Sequence, residues 1–177
     1  MLSLIDKYYH DNEKAKKILI THCKLVADKA IRISQNNPSL NIDEKFVLEA
    51  SMLHDIGIFL TTSPDIYCYG TYPYICHGYL GRELLEKENM KQAALVAERH
   101  TGTGITLNEI IKQNLPLPHR DMLPVSIEEQ LICFADKFYS KSKDYKKEIP
   151  ISIIRTKLIK YGEDKLKKFN EWCELFL

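Results

Sequence analysis

The five cysteines offer no pair to clasp a metal or run thiol exchange: Cys23, Cys68, Cys76, Cys133 and Cys173 are odd in number, scattered, and free of any Cys-x-x-Cys spacing. They read as reduced thiols. Neither sign of charge dominates, with 25 Lys plus Arg against 24 Asp plus Glu and a formal net charge of +1 over 177 residues. Such a balance supplies no field for steering onto nucleic acid or an anionic membrane surface. No uncharged apolar run approaches the roughly 18 residues needed to span a bilayer. Met1 to Lys7 lacks a basic flank followed by a long apolar stretch and a small-residue cleavage site, so no signal peptide is expected and the cytoplasm is the expected location. Glycine and proline are sparse, seven of each, and no period of 20 to 50 residues repeats. Phosphate-cradling loops are missing too: there is no G-x-x-x-x-G-K-[ST] run and no G-x-G-x-x-G after a strand. A composition 45% hydrophobic and 28% charged describes one ordinary globular domain over 1–177.

What is present is helical periodicity. Leu19, Cys23, Val26, Ala30 and Ile33 recur at steps of three and four, which predicts a helix from about Asn12 to Gln35. Asp43 caps a second, with Phe46, Val47, Ala50 and Leu53 inward and Gly57 as a left-handed stop. The stretch from Thr61 to Pro73 reads as loop. Helices are expected at about His77 to Lys87, Lys91 to His100 and Leu107 to Gln113, followed by a loop with three prolines from Asn114 to Pro124. Ser126-Ile127-Glu128-Glu129 forms a capping box for a helix running to Tyr139, and Pro150 opens a final amphipathic helix toward Phe176. No alternating strand pattern stands out. The fold expected is all-α, a bundle of about seven or eight helices around one core.

The histidines fall on this map in a telling way. His22 lies on the apolar stripe between Leu19 and Val26, and His100 follows Ala93, Val96 and Ala97 in the same manner. His54 and Asp55 stand at the end of the second helix, His77 opens the next, and Asp136 sits between Ile132 and Tyr139 on an inward face. Any one of them alone reads as a satisfied core residue. Six together on five helices need a shared partner, because a desolvated charge is costly unless paired or ligated. A divalent metal is the simplest partner, since imidazole and carboxylate form the N/O set that suits Fe, Mn, Co or Zn, and the cluster has no cysteine for a structural zinc site. At a helix end His54 and Asp55 can turn to one cavity, one holding a metal while its neighbour bridges to a second.

The order His22, His54-Asp55, then Asp136 within Phe134-Ala135-Asp136-Lys137 resembles the HD superfamily of metal-dependent phosphohydrolases, and Leu53-His54-Asp55-Ile56-Gly57 reproduces its HDIG signature. The resemblance covers about residues 17–140. His77-Gly78 before a helix and Arg99-His100-Thr101-Gly102 after one are similar to the branch with two extra histidines, which includes bacterial symmetrical dinucleoside tetraphosphate hydrolases and uncharacterised HDIG proteins. The resemblance implies a dinuclear site in which His22, His54, Asp55 and Asp136 hold one ion while Asp55, His77 and His100 hold the other. It implies two divalent cations, Fe or Mn foremost with Co, Ni, Zn or Mg open. The implied reaction is cleavage of a phosphate ester or anhydride of a nucleotide or similar small molecule by a metal-activated hydroxide, with Asp55 bridging the metals and the activated water. The expected partner is a small phosphorylated substrate, with neither nucleic acid nor membrane, and a homodimer is left open. A di-iron oxygenase of the same fold and a non-catalytic metal-binding sensor are the rival readings.

Phosphate must then be held by metals and scattered groups. Arg99 and Lys137 adjoin expected ligands, Thr101 and Gly102 can present backbone N–H groups, and His119 and Arg120 lie in the proline-rich loop, where His119 is a candidate acid for the leaving oxygen. Each has a plainer reading as solvated charge or helix cap. Tyr67, Tyr69, Tyr72 and Tyr74 crowd the loop before His77, either packing beneath it or forming an aromatic wall for a nucleobase. Lys141, Lys143, Lys146 and Lys147 read as a solvated face.

Overall fold

The molecule is built around α2 (Glu13–Asn36), whose long apolar stripe buries Leu19, Cys23, Val26, Ala30 and Ile33 and carries His22 with it. We describe a computed structural model covering residues 1–142 and 147–177. Asn12 caps α2 by accepting a hydrogen bond from the Ala15 N–H at 3.1 Å. Against α2 pack α3 (Glu44–Leu53), capped by Asp43 on the Phe46 N–H at 3.0 Å, and α7 (Ile127–Asp136), buried continuously from Leu131 to Asp136. A preceding helix, α1 (Leu2–Tyr9), buries Ile5 and Tyr9. The Tyr9 hydroxyl donates to the Ile56 carbonyl at 2.9 Å, tying this helix to the segment just after His54-Asp55.

A second pair, α4 (His77–Lys87) and α5 (Lys91–Arg99), closes the other side of the site. α3 ends at His54 and gives way to a 3₁₀ segment, Ile56–Leu60. Gly57 there does not adopt the expected left-handed conformation. Its lack of a side chain serves a close approach instead, since a Cβ would strike the carbonyl oxygen of His77 and lie 2.6 Å from the Gly81 nitrogen. Gly78 has the same use against α5, where a Cβ would come within 2.8 Å of the Ala97 carbonyl. These contacts draw α4 in until its first residue, His77, faces Asp55 and His100.

The segment expected as loop after residue 60 holds a minimal antiparallel hairpin, β1 (Thr62–Ser63) with β2 (Cys68–Tyr69), in register Thr62 to Tyr69 and Ser63 to Cys68. α6 (Leu107–Lys112) opens on a reciprocal capping box between Thr106 and Glu109. At α7 the expected box is half formed: Ser126 accepts from the Glu129 N–H, but the Glu129 carboxylate takes the Val125 N–H and Arg99. The final helix is two, α8 (Ile151–Leu158) and α9 (Glu163–Phe176), parted at Gly162 with φ 144°. Phe134 and Phe138 of the central layer meet Phe169, Trp172 and Phe176 of α9 in edge-on and tilted contacts, which seats the C-terminal pair on the core. The fold is thus all-α, with nine α-helices among the described residues. No helix among them is long and apolar enough to cross a membrane.

Candidate metal centre

Five helix positions converge on one buried point. His22 comes from mid-α2, His54 and Asp55 from the end of α3, His77 from the first turn of α4, His100 from the C-cap of α5 and Asp136 from the last residue of α7. All six are buried. One ligand atom from each of His22, His54, Asp55 and Asp136 lies within 4.8 Å of the others, and the same holds for Asp55, His77 and His100. Asp55 belongs to both groups through different oxygens. Its Oδ2 lies 3.0 Å from His54 Nε2 and 3.2 Å from His22 Nε2, while Oδ1 lies 3.4 Å from His77 Nε2 and 3.3 Å from His100 Nε2.

The hydrogen-bond pattern shows what this arrangement lacks. His54, His77 and His100 each direct Nδ1 at the carbonyl three residues upstream, Ser51 at 2.6 Å, Tyr74 at 2.7 Å and Ala97 at 2.7 Å. A carbonyl only accepts, so these contacts assign the hydrogen of the neutral ring to Nδ1 and leave a lone pair on Nε2. Lone pairs then face lone pairs. His77 Nε2 and His100 Nε2 are 3.1 Å apart, and among the described residues His54 Nε2 and Asp55 Oδ1 find no hydrogen-bond donor, while Asp55 Oδ2 has only the Lys141 ammonium at 2.7 Å. Acceptors assembled around acceptors in a buried site cost free energy unless a cation sits among them. The donors are nitrogen and oxygen only, so the residues fit a divalent transition metal, with the Nδ1 contacts as the outer support that orients ligating imidazoles.

Titration behaviour follows the same geometry. Burial alone would raise the Asp55 carboxyl, but the Lys141 ammonium and the His54 ring outweigh it and hold the group well below the usual carboxylate range. Asp136 is likewise pushed up by burial and pulled well below that range by Lys137 and Lys141. Burial depresses His77 to about 3 and lowers His100, keeping both rings neutral as metal ligation requires. His54 moves the other way: burial lowers it, but Asp55 and the adjacent Cys23 lift it well above its ordinary value. A proton and a metal therefore compete for His54 Nε2.

The expected phosphate-holding residues are divided. Lys137 stays at the centre, its ammonium 2.8 Å from Asp136 Oδ2 and donating to the His100 carbonyl at 3.3 Å. Thr101 and Gly102 line a cavity that reaches His77. Arg99 is turned away, its Nη1 bonded to both oxygens of Glu129 at 3.0 and 2.9 Å, because a half-buried guanidinium takes the nearest carboxylate. Arg120 is held by Glu98 of α5, at 2.9 Å from Nε and 2.5 Å from Nη2, which makes it a strut for the proline-rich loop. His119 is exposed and the structure does not bring it to the cluster. Of the four tyrosines only Tyr74 reaches the site, stacked on His77 with ring centroids 4.6 Å apart, while Tyr67, Tyr69 and Tyr72 are exposed.

Lys141 is the residue that sequence reasoning placed wrongly. Expected on a solvated face, it instead turns inward with its ammonium 2.7 Å from Asp55 Oδ2 and 4.0 Å from Asp136 Oδ1. It lies five residues past Asp136, beyond the end of α7, where helical periodicity no longer says which way a side chain points. Lys147 is exposed as expected, and Lys143 and Lys146 lie outside the described residues.

Comparison with known proteins agrees with this geometry. The family description "HD domain" matches residues 19–140, and the chain belongs to that family, within the superfamily of metal-dependent phosphohydrolases. It is 33% identical over 133 residues, 75% of its own length, to a Picrophilus torridus protein named tRNA (cytidine(56)-2'-O)-methyltransferase. To a protein of the same name from Thermoplasma volcanium it is 27% identical over 172 residues, 97% of its length. The chain spans only 34% and 45% of those two relatives. An uncharacterised protein of Methanocaldococcus jannaschii is 33% identical over 142 residues, covering 74% of this chain and 76% of that protein. No solved structure matches the chain.

Proposed function

We propose that the protein is a divalent-metal-dependent phosphohydrolase that cleaves a phosphate ester or anhydride of a nucleotide or similar small molecule. The observation that carries this reading is the buried set of acceptors without a donor among the described residues, Asp55 Oδ1 and His54 Nε2, with Oδ1 facing the Nε2 atoms of His77 and His100. His22, His54, Asp55 and Asp136 would hold one ion, and His77, His100 and the second oxygen of Asp55 the other. A pair of such cations supplies a water of lowered pKa and neutralises charge on phosphoryl oxygens. The chain's own groups do the rest. Asp55 spans the two groups of ligands, and the Nδ1 contacts to Ser51, Tyr74 and Ala97 hold three imidazoles in the tautomer that binds. Lys137 and Lys141 bring ammonium groups to the edge of the cluster, where they bind and orient an anionic phosphate. Tyr74, packed on His77, narrows the approach.

Two relatives are named for a methyltransferase of a tRNA cytidine, which supports a nucleotide among the substrates. Methyl transfer is not carried over, because the chain spans less than half of either relative. The test is to purify the protein without chelator, measure metal identity and stoichiometry, and screen phosphate release from nucleotides and dinucleoside polyphosphates with Mn²⁺, Fe²⁺ and Co²⁺. Two equivalents of metal with phosphate release are expected. A mixed-valent iron pair that binds dioxygen would favour the oxygenase, and retained metal with no turnover would favour the sensor.

A further inference from the structure

Two cavities meet at the ligand cluster, and their walls differ in kind. The larger, about 570 Å³, has His77 and Lys137 at one end and is walled chiefly by Ile75, Ile105, Leu115, Ile154 and Leu158. The smaller, about 400 Å³, reaches Asp136 and Lys141 and is lined more by polar than by apolar groups, Ser63, Asp65, Ser140 and Ser142 beside Ile66 and Ile149. Tyr74, Lys137 and Lys157 line both and mark the junction. A phosphate ester is two-sided in the same sense, with a charged head and an organic body. With the head at the junction, only one cavity can take an apolar body without stranding polar groups.

Resting on the phosphohydrolase reading, we propose that the larger cavity is the site for the substrate's organic body and that this body is apolar: an aliphatic chain or a flat unsaturated ring system, not a polyol. Two of the charged groups in its wall are matched to each other, since Lys165 donates to Glu109 Oε2 at 2.6 Å and to the Gly104 carbonyl at 3.0 Å, and Lys137 is paired with Asp136 at 2.8 Å. Sugar hydroxyls placed against Ile105, Leu115 and Leu158 would lose water and gain no partner. Gln113, Lys157 and Lys160 are exposed at its rim, as is Tyr161. Ile154, Lys157 and Leu158 belong to α8, outside the 19–140 segment that matches the family. The α8 part of the apolar wall therefore lies beyond the segment matched by the family, while Ile75, Ile105 and Leu115 lie within it. The polar cavity is left for water and for the released phosphate.

The experiment compares hexyl phosphate, adenosine 5′-monophosphate and glycerol 3-phosphate as substrates of the metal-loaded protein, alongside binding of the matching uncleavable phosphonates by calorimetry. One of the first two should exceed glycerol 3-phosphate in kcat/KM by at least about tenfold, and which one does so separates an aliphatic body from a nucleobase. Ile105→Asn and Leu115→Asn, both at partly buried positions, should reduce that ratio severalfold with metal content unchanged. Glycerol 3-phosphate turned over as well as the others, or a ratio untouched by both variants, overturns the proposal. If the phosphonates show the preference and no ester is cleaved, the cavity assignment stands and the phosphohydrolase reading falls. If esters are cleaved without preference, the cavity assignment falls alone.

Discussion

Glu98 and Asp55 are both buried carboxylates, 2% and 0% exposed, in surroundings of opposite kind. Glu98 takes Arg82 on one oxygen and Arg120 on the other, each at 2.5 Å, so that its acceptors meet donors and its charge is overmatched. Asp55 Oδ1 meets only the His77 and His100 nitrogens, which by their Nδ1 contacts have no hydrogen to give, and Oδ2 has the single ammonium of Lys141 beside two further imidazoles. Burial of charge is common to both and so marks neither as a site. The count of donors against acceptors separates a finished ion cluster, which holds helices and a loop together, from an unfinished one, which awaits a cation.

The contrast can be broken most severely at Asp55. Asp55→Asn removes the charge shared by both ligand groups while keeping the shape, and should lower hydrolysis by more than about a hundredfold with loss of most bound metal. Full metal content in that variant, by elemental analysis, would remove the bridging role. Acid titration tests the same cluster without turnover. His77 is depressed to about 3 in the folded protein, against an ordinary histidine value of roughly 6.5, so between these limits the unfolded chain binds the extra proton. Its contribution to stability is complete above about 6.5 and is lost as pH falls toward 3, at up to about 1.4 kcal/mol per pH unit. Denaturant melts of the chelated wild type and of His77→Gln should diverge in that window, with the variant flatter; parallel curves would mean that His77 is not buried neutral.

The finished cluster should respond in stability alone. Glu98→Gln leaves two guanidinium groups facing a neutral amide, and because Arg82 and Arg120 are partly exposed they recover some water, so a loss of about 2 kcal/mol is expected with metal content intact. Arg120→Ala should be milder still, about 1 kcal/mol by thermal melting, with kcat unchanged. A fall in kcat would return the proline-rich loop to the site.

Much of this was legible in the chain. His22 and His100 betray themselves by standing on apolar stripes, and Asp136 by its place between Ile132 and Tyr139, since period-3.6 burial is a short-range property. The capping residues Asp43 and Ser126 mark helix starts for the same reason. Lys141 was not legible, because beyond a helix end no period relates sequence position to direction. Arg99 and Arg120 adjoin or approach ligand segments in sequence, but their partners Glu129 and Glu98 lie 30 and 22 residues away, and a guanidinium follows the partner, not the neighbour. The break at Gly162 was missed because a single glycine inside an amphipathic pattern is usually tolerated.

Gly57 bears on which positions of the chain are free to drift. It ligates nothing and touches no substrate, yet its bare backbone lies against the carbonyl of His77 and so sets how near the two groups of ligands stand. A methyl group there would act as a shim between the halves of the centre. The last letter of the His-Asp-Ile-Gly run is thus set by a distance and not by a reaction, and a side chain there would part the two groups of ligands whatever chemistry they serve.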